Sequence, residues 1–165
     1  MSTLIIIRGL PGSGKTTFAK KLANTLNASH FEADMYFTDD KGNYNFDSAK
    51  IKDAHEWCFK SVQDALESNK VVIVSNTFTQ KWEYAKYLTY CAAFNHEYHI
   101  VTMLNFFDNI HNVPQKTYDS MKKRFEFGKN DILVDIVNEN RIVQHFCTWF
   151  KNKYSLDTPK QYDIM

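Results

Sequence analysis

Eight consecutive residues, Gly9-Leu10-Pro11-Gly12-Ser13-Gly14-Lys15-Thr16, combine three glycines with a lysine and a hydroxyl. The glycines let the chain turn tightly and bring backbone N–H groups close to an anion. A lysine in this position reaches the β- and γ-phosphates of a nucleotide, and the Thr16 hydroxyl can hold Mg²⁺. A helix starting near Thr16 aims the positive end of its dipole at the same anion, with Thr17 in its first turn. The run reads as a loop that binds ATP, with Gly9 to Thr17 as its contacts and Thr16 as the metal contact.

Asp34 is the next residue of interest. It follows an expected second strand, His30-Phe31-Glu32-Ala33, and so belongs near the γ-phosphate. Moving a phosphoryl group to an alcohol needs a group that orients the hydroxyl and takes its proton, and a carboxylate suits that task. An aspartate in a turn or at a helix cap is the alternative. Ser75-Asn76-Thr77 closes the most apolar run, where many phosphate-loop enzymes carry a carboxylate, and here there is none. Asn76 and Thr77 can hydrogen-bond an acceptor or its base, or simply cap a turn. Tyr36, Phe37, Tyr44 and Trp57 offer either a stacking wall for a base or pocket lining, and His55 either contacts the acceptor or is structural.

These groups need a scaffold that gathers them. Leu4-Ile5-Ile6-Ile7 and Val71-Val72-Ile73-Val74 are apolar runs of the kind found in strands covered on both faces. Helical periodicity marks about 16–26, a long helix capped by Asp47, and about 80–94. Asp39-Asp40-Lys41-Gly42-Asn43 is dense in turn formers. A further strand is expected near 98–104, a helix from Pro114 to about Phe127, and a terminal helix about 138–154 that packs Ile142, Val143, Phe146, Trp149 and Phe150 on the core. The segment 132–136 reads equally as strand or helix. Alternating strands and helices predict an α/β fold of three layers, a parallel sheet flanked by helices, whose ligands sit at the carboxyl ends of the strands. One domain spanning 1–165 accounts for the length.

Composition narrows the class. Twenty basic and 19 acidic side chains give a formal net charge of +1, which argues against a positively coated, sequence-independent DNA binder. Cys58, Cys91 and Cys147 are widely spaced and read as buried thiols of a reducing compartment. No apolar stretch is long enough to cross a membrane and no secretory signal is evident. The expected location is the cytoplasm, or the host cytoplasm if the chain is phage-encoded.

The ordered series of motifs resembles a family. After the phosphate loop come Glu32-Ala33-Asp34-Met35-Tyr36-Phe37, Tyr44-Asn45-Phe46-Asp47, Ala54-His55-Glu56-Trp57-Cys58, Ser75-Asn76-Thr77, Trp82-Glu83, His111-Asn112-Val113-Pro114 and Met121-Lys122-Lys123-Arg124-Phe125-Glu126. Over roughly residues 3–126 the series is similar to the P-loop kinases related to phage 5′-hydroxyl polynucleotide kinase, and most similar to the kinase-like domains of NEDD4-binding proteins. The resemblance implies that Asp34 is the general base, that Lys15 and Thr16 bind phosphates and Mg²⁺, that Asn76 organises the acceptor site, and that a helical lid covers about 105–127. Two positions depart from that pattern. Phe37 stands where phage enzymes carry an arginine for the acceptor phosphate, and Asp108 stands where the lid carries one. Arg124, Lys122, Lys116 or His111 could substitute for the missing arginine, with Arg124 the candidate catalytic one.

The expected activity is therefore ATP-dependent transfer of the γ-phosphoryl to a hydroxyl, with a polynucleotide 5′ end as acceptor. A nucleoside or small hydroxylated metabolite is the alternative acceptor, and an ATP-binding module without catalysis is the alternative to an enzyme.

Overall fold

The computed structural model describes residues 1–68, 70–105 and 113–135, and the backbone of 139–154 with side chains from Gln144 to Lys153. Five strands, β1 (Thr3–Arg8), β2 (Ser29–Phe31), β3 (Val71–Asn76), β4 (Glu97–Met103) and β5 (Ile132–Val134), form one sheet in the order β2-β3-β1-β4-β5. Every pairing is parallel. Among the described residues four helices connect them, α1 (Lys15–Leu26), α2 (Ile51–Ser68), α3 (Lys81–Ala93) and α4 (Gln115–Arg124), and α5 (Glu139–Tyr154) follows β5.

The apolar run in β1 has no polar alternation because both faces of the strand are covered. Leu4 and Ile6 join Val72, Val74 and residues of α2 and α3 in one core. Ile5 and Ile7 join Ile73, Val101, Phe18 and Leu22 of α1, and Phe146 and Phe150 of α5, in the other. The expected three-layer α/β arrangement is the observed one. No helix among the described residues is long and apolar enough to cross a membrane.

Several boundaries differ from expectation, each for a local reason. β2 ends at Phe31, because the Ala33 amide turns away from the ladder and donates to the Asn76 side chain at 2.9 Å. Ala33–Phe37 then coils into a 3₁₀ turn. Asp47 accepts from the Ala49 amide as expected of a cap, but it caps a 3₁₀ turn, Ser48–Lys50, that feeds α2. Pro114 is the cap of α4 rather than a first-turn residue, and α4 stops at Arg124. The ambiguous segment is a strand, paired to β4 through Val101–Ile132, Thr102–Leu133 and Met103–Val134. The turn formers at 39–43 close a small hairpin in which Thr38 bridges Tyr44. Within the terminal helix Phe146 and Phe150 are buried while Trp149 stays partly exposed. Residues 106–112 of the expected lid, with Asp108 and His111, and the side chains of Ile142 and Val143, lie outside the described residues.

Candidate functional site

The phosphate loop joins β1 to α1 at the carboxyl end of the central strand. Gly12 and Gly14 take φ of 79° and 83°, the left-handed region where a side chain is strained, so glycine is required at both. The Ser13 amide donates to the Leu10 carbonyl at 3.1 Å, which closes the turn around Pro11. Gly9 behaves differently from its neighbours, since its amide donates to the Thr77 carbonyl at 3.3 Å and pins the loop to the end of β3. Lys15 opens α1, with Thr16 and Thr17 in the first turn, where N–H groups have no acceptor within the helix. No acidic residue lies in that turn to compete with an anion for those N–H groups.

The Lys15 ammonium folds back and donates to the Leu10 carbonyl at 3.0 Å. Desolvation pushes its pKa down to about 8, against the opposing pull of Glu32 and Asp34. Both carboxylates therefore lie close enough for their charge to act on the lysine.

Asp34 is exposed on the 3₁₀ turn. Its charge reaches Lys15, the Tyr44 hydroxyl and the His55 ring. His55 is half-buried on α2, and burial, reinforced by Lys86, holds its pKa below the ordinary histidine value. Lys15, Asp34, Tyr44 and His55 thus share one electrostatic neighbourhood. The Asn76 carboxamide is engaged within the protein. Its carbonyl oxygen accepts from Ala33 and its amide donates to the Cys58 sulfur at 3.7 Å, so it holds the turn that presents Asp34. Thr77 contributes its carbonyl to Gly9.

The aromatic residues divide. Tyr36 and Trp57 are about one-third exposed, at 37% each, with ring centroids 6.1 Å apart. Phe37 belongs to the core at 7% exposure, wedged against Phe46 and Tyr44. Its expected role as a face for substrate is thereby reduced to one edge of a cleft of about 230 Å³ shared with Tyr36, Thr38, Asp39, Asn45 and Lys50. Arg124 is exposed and donates from Nε to the Thr79 hydroxyl at 3.0 Å, anchored to the turn after β3 rather than bonded to the loop.

Two residues that motif reading passed over are prominent. Glu32 accepts from the Ser75 hydroxyl at 2.5 Å, lies 3.3 Å from His30 Nε2, and is hydrogen-bonded by Thr16. Burial alone pushes its pKa up, but the bonds from His30, Ser75 and Thr16 together outweigh it and hold the carboxyl below its ordinary value. Arg8, fully buried at the foot of the loop, forms a 3.0 Å ion pair with Asp131. The one available sequence signal was polarity out of place: an acid beside a strand end, and an arginine closing an apolar strand.

The model of the family described as AAA domain matches residues 4–104. Human NEDD4-binding protein 2 is 37% identical over 90 residues, which is 52% of this chain but 5% of that protein. Kti12 of Chaetomium thermophilum, solved with ADP-AlF3, superposes with a TM-score of 0.68 at 13% identity, covering 90% of this chain and 97% of that one. A gluconokinase from Sinorhizobium meliloti 1021 gives a TM-score of 0.61 at 15% identity, covering 93% and 96%. At such identities the two structures attest the shared fold.

Proposed function

Since the chain belongs to the AAA domain family, we propose that it is an ATP-dependent kinase that transfers the γ-phosphoryl to a hydroxyl, with a polynucleotide 5′-hydroxyl as acceptor. The observation that carries the reading is the placement of Asp34, exposed on its turn and close enough to Lys15 for its charge to act on the ammonium. A carboxylate whose charge reaches the phosphate-binding lysine supports a base near the γ-phosphate, where in-line transfer needs one.

Lys15 and the first-turn amides of α1 bind and orient the β- and γ-phosphates. Mg²⁺, when bound, offsets charge on those phosphates. The donor set fits it, because Thr16 brings a hard hydroxyl oxygen with an ionised carboxylate beside it. Among the described residues no group of three or more His, Cys, Asp or Glu could hold a metal, in keeping with an ion carried largely by nucleotide phosphates. Asp34 takes the proton from the acceptor hydroxyl as its oxygen bonds the γ-phosphorus, and the bond to the β-phosphate oxygen breaks to release ADP. Lys50, beside the cleft at Phe37, supplies a cation where phage enzymes carry arginine. Arg124 spends only its Nε proton on Thr79, so its terminal N–H groups can serve the transferring group with that anchor kept.

The test is γ-labelled ATP offered to 5′-hydroxyl DNA, 5′-hydroxyl RNA, nucleosides and small alcohols, with label expected on an oligonucleotide. Asp34→Asn is expected to cut transfer by about 10²–10⁴ while nucleotide affinity in a binding titration is retained. Substantial activity in that variant would remove Asp34 as the base.

A nucleoside acceptor is the second reading, favoured by the exposed Tyr36–Trp57 pair and by Phe37 in place of an arginine. Acceptor binding that is insensitive to salt would select it, since contacts to a phosphate chain release counterions. Bound ATP with no label on any acceptor would leave a non-catalytic module.

A further inference from the structure

His30, Glu32 and Ser75 form a polar cluster that phosphate binding and proton transfer leave without a task. Strand alternation separates it from the Asp34 side of the site. Ser75 pairs in register with Ile7, whose side chain lies in the α1 core, and His30 pairs with Ile73, which lies in the same core. Asn76, the next residue along, turns to the opposite layer and bonds Cys58 of α2. Ser75 stands at the end of a strand directly beside β1, where a carboxylate would face the hydroxyl of the loop. Its side chain is too short for that and carries no charge.

Its hydroxyl instead donates to Glu32, the residue that follows β2 on the far side of β3. Because that single proton is spent on Glu32, the 2.7 Å contact between Ser75 Oγ and His30 Nε2 requires the histidine to donate. Ser75 therefore fixes the carboxylate while His30 holds Ser75 from behind, its Nε2 3.3 Å from Glu32, and Glu32 is also bonded to the Thr16 hydroxyl. Lys15 bonds the Leu10 carbonyl rather than Glu32, so the carboxylate is not consumed as a partner for the lysine.

We infer that Glu32 is the protein carboxylate that anchors the magnesium ion of the bound nucleotide beside Thr16, supplied from just after β2 where β3 offers only Ser75. Ser75 and His30 are positioning residues that aim it. Mg²⁺ is held through one or two carboxylates together with phosphates, and it keeps several waters, which suits a single glutamate next to a hydroxyl. The assignment rests on the loop binding a nucleoside triphosphate, and it is independent of which hydroxyl accepts the phosphoryl group.

The experiment is a calorimetric titration of the full chain with AMPPNP at a series of Mg²⁺ concentrations and in EDTA, with thermal melts as the fold control. Glu32→Gln is expected to raise the Mg²⁺ concentration for half-maximal nucleotide binding by about 10- to 100-fold, in the range of outer-sphere losses at metal sites. Affinity in EDTA should be unchanged or higher, since a negative charge has been removed near the phosphates. If Glu32→Gln does not fold, Ser75→Ala, which keeps the glutamate and releases it, is expected to shift the Mg²⁺ requirement in the same direction by less. A Mg²⁺ requirement that stays put, or an equal loss of affinity with and without metal, would overturn the assignment. Failure of the kinase reading would look different: metal-dependent AMPPNP binding would persist in the wild type while no acceptor takes label.

Discussion

Two cations bracket the phosphate loop, and their surroundings differ in a way that separates scaffold from site. Arg8, at the foot of the loop, is fully buried, and each of its three guanidinium nitrogens donates within the protein. Its Nε donates to the Phe78 carbonyl at 2.9 Å, NH2 to the Thr79 carbonyl at 3.1 Å and NH1 to Asp131 at 3.0 Å. The guanidinium also lies 4.3 Å from the Phe125 ring centroid. Lys15, at the exit of the loop, has three protons to donate and gives one hydrogen bond among the described residues. A fully buried cation with every nitrogen engaged and its charge paired to a carboxylate is closed to a ligand. One that is desolvated and under-partnered is stabilised when an anion arrives.

The Arg8 network also explains how distant segments meet. Phe78 has φ of 42°, an unfavourable backbone for phenylalanine, and the bond from Arg8 to its carbonyl helps hold it there. Asp131 Oδ2 gathers Arg8, the Thr102 hydroxyl and the Gly128 amide, each at 3.0 Å. The stretch that follows α4 is thereby fastened to the base of the phosphate loop.

Breaking the structural cation should give the largest effect. Arg8→Met leaves Asp131 buried without its partner and is expected to lower the unfolding free energy by about 3–5 kcal/mol, read by urea denaturation. Arg8→Met combined with Asp131→Asn should recover part of that loss, and a double variant no more stable than the single one would refute the pairing as its cause. Lys15→Met should do the converse. Nucleotide affinity is expected to fall by about 2–5 kcal/mol in a binding titration, while unfolding stability holds or rises because a desolvated charge has gone. A large stability loss in Lys15→Met would erase the distinction between the two cations.

The smallest effect sharpens the same contrast through pH. Lys15 has a folded pKa of about 8 against an ordinary 10.5, so between those values the unfolded chain holds a proton that the folded one has released. Stability contributed by this group therefore rises with pH across that window, and below it the charged lysine is a cost. The difference between the wild-type and Lys15→Met stability curves should slope across this window and be flat below it. Nucleotide affinity should be level below pH 8 and fall above it, by at most about tenfold per pH unit, as the free lysine loses the charge that phosphate binds.

Much of the fold could be read from the chain because its signals are local. The runs at 4–7 and 71–74 announce strands buried on both faces, and the periodicity after Asp47 announces α2. Segment 132–134 could not be read, since a short apolar run carries no period and only its pairing with β4 makes it a strand. The turn at Ala33–Phe37 was hidden for a similar reason. Its amide finds its acceptor in Asn76, a residue distant in sequence.

The sequence by itself determined the phosphate loop, because glycine conformations, a lysine and a hydroxyl at fixed spacing shape one contiguous turn whose amides face an anion wherever it is placed. It also nominated Asp34 by its place after a strand. Only the tertiary structure decided that Asn76 braces the turn behind Asp34, that Arg8 is a clamp, and that Glu32 stands against Thr16. Those roles depend on strand order and register, which set neighbouring residues of β3 on opposite layers and bring an edge-strand acid across to the loop. A side chain's type travels with the sequence, whereas the partner that desolvates, pairs or aims it is supplied by the fold.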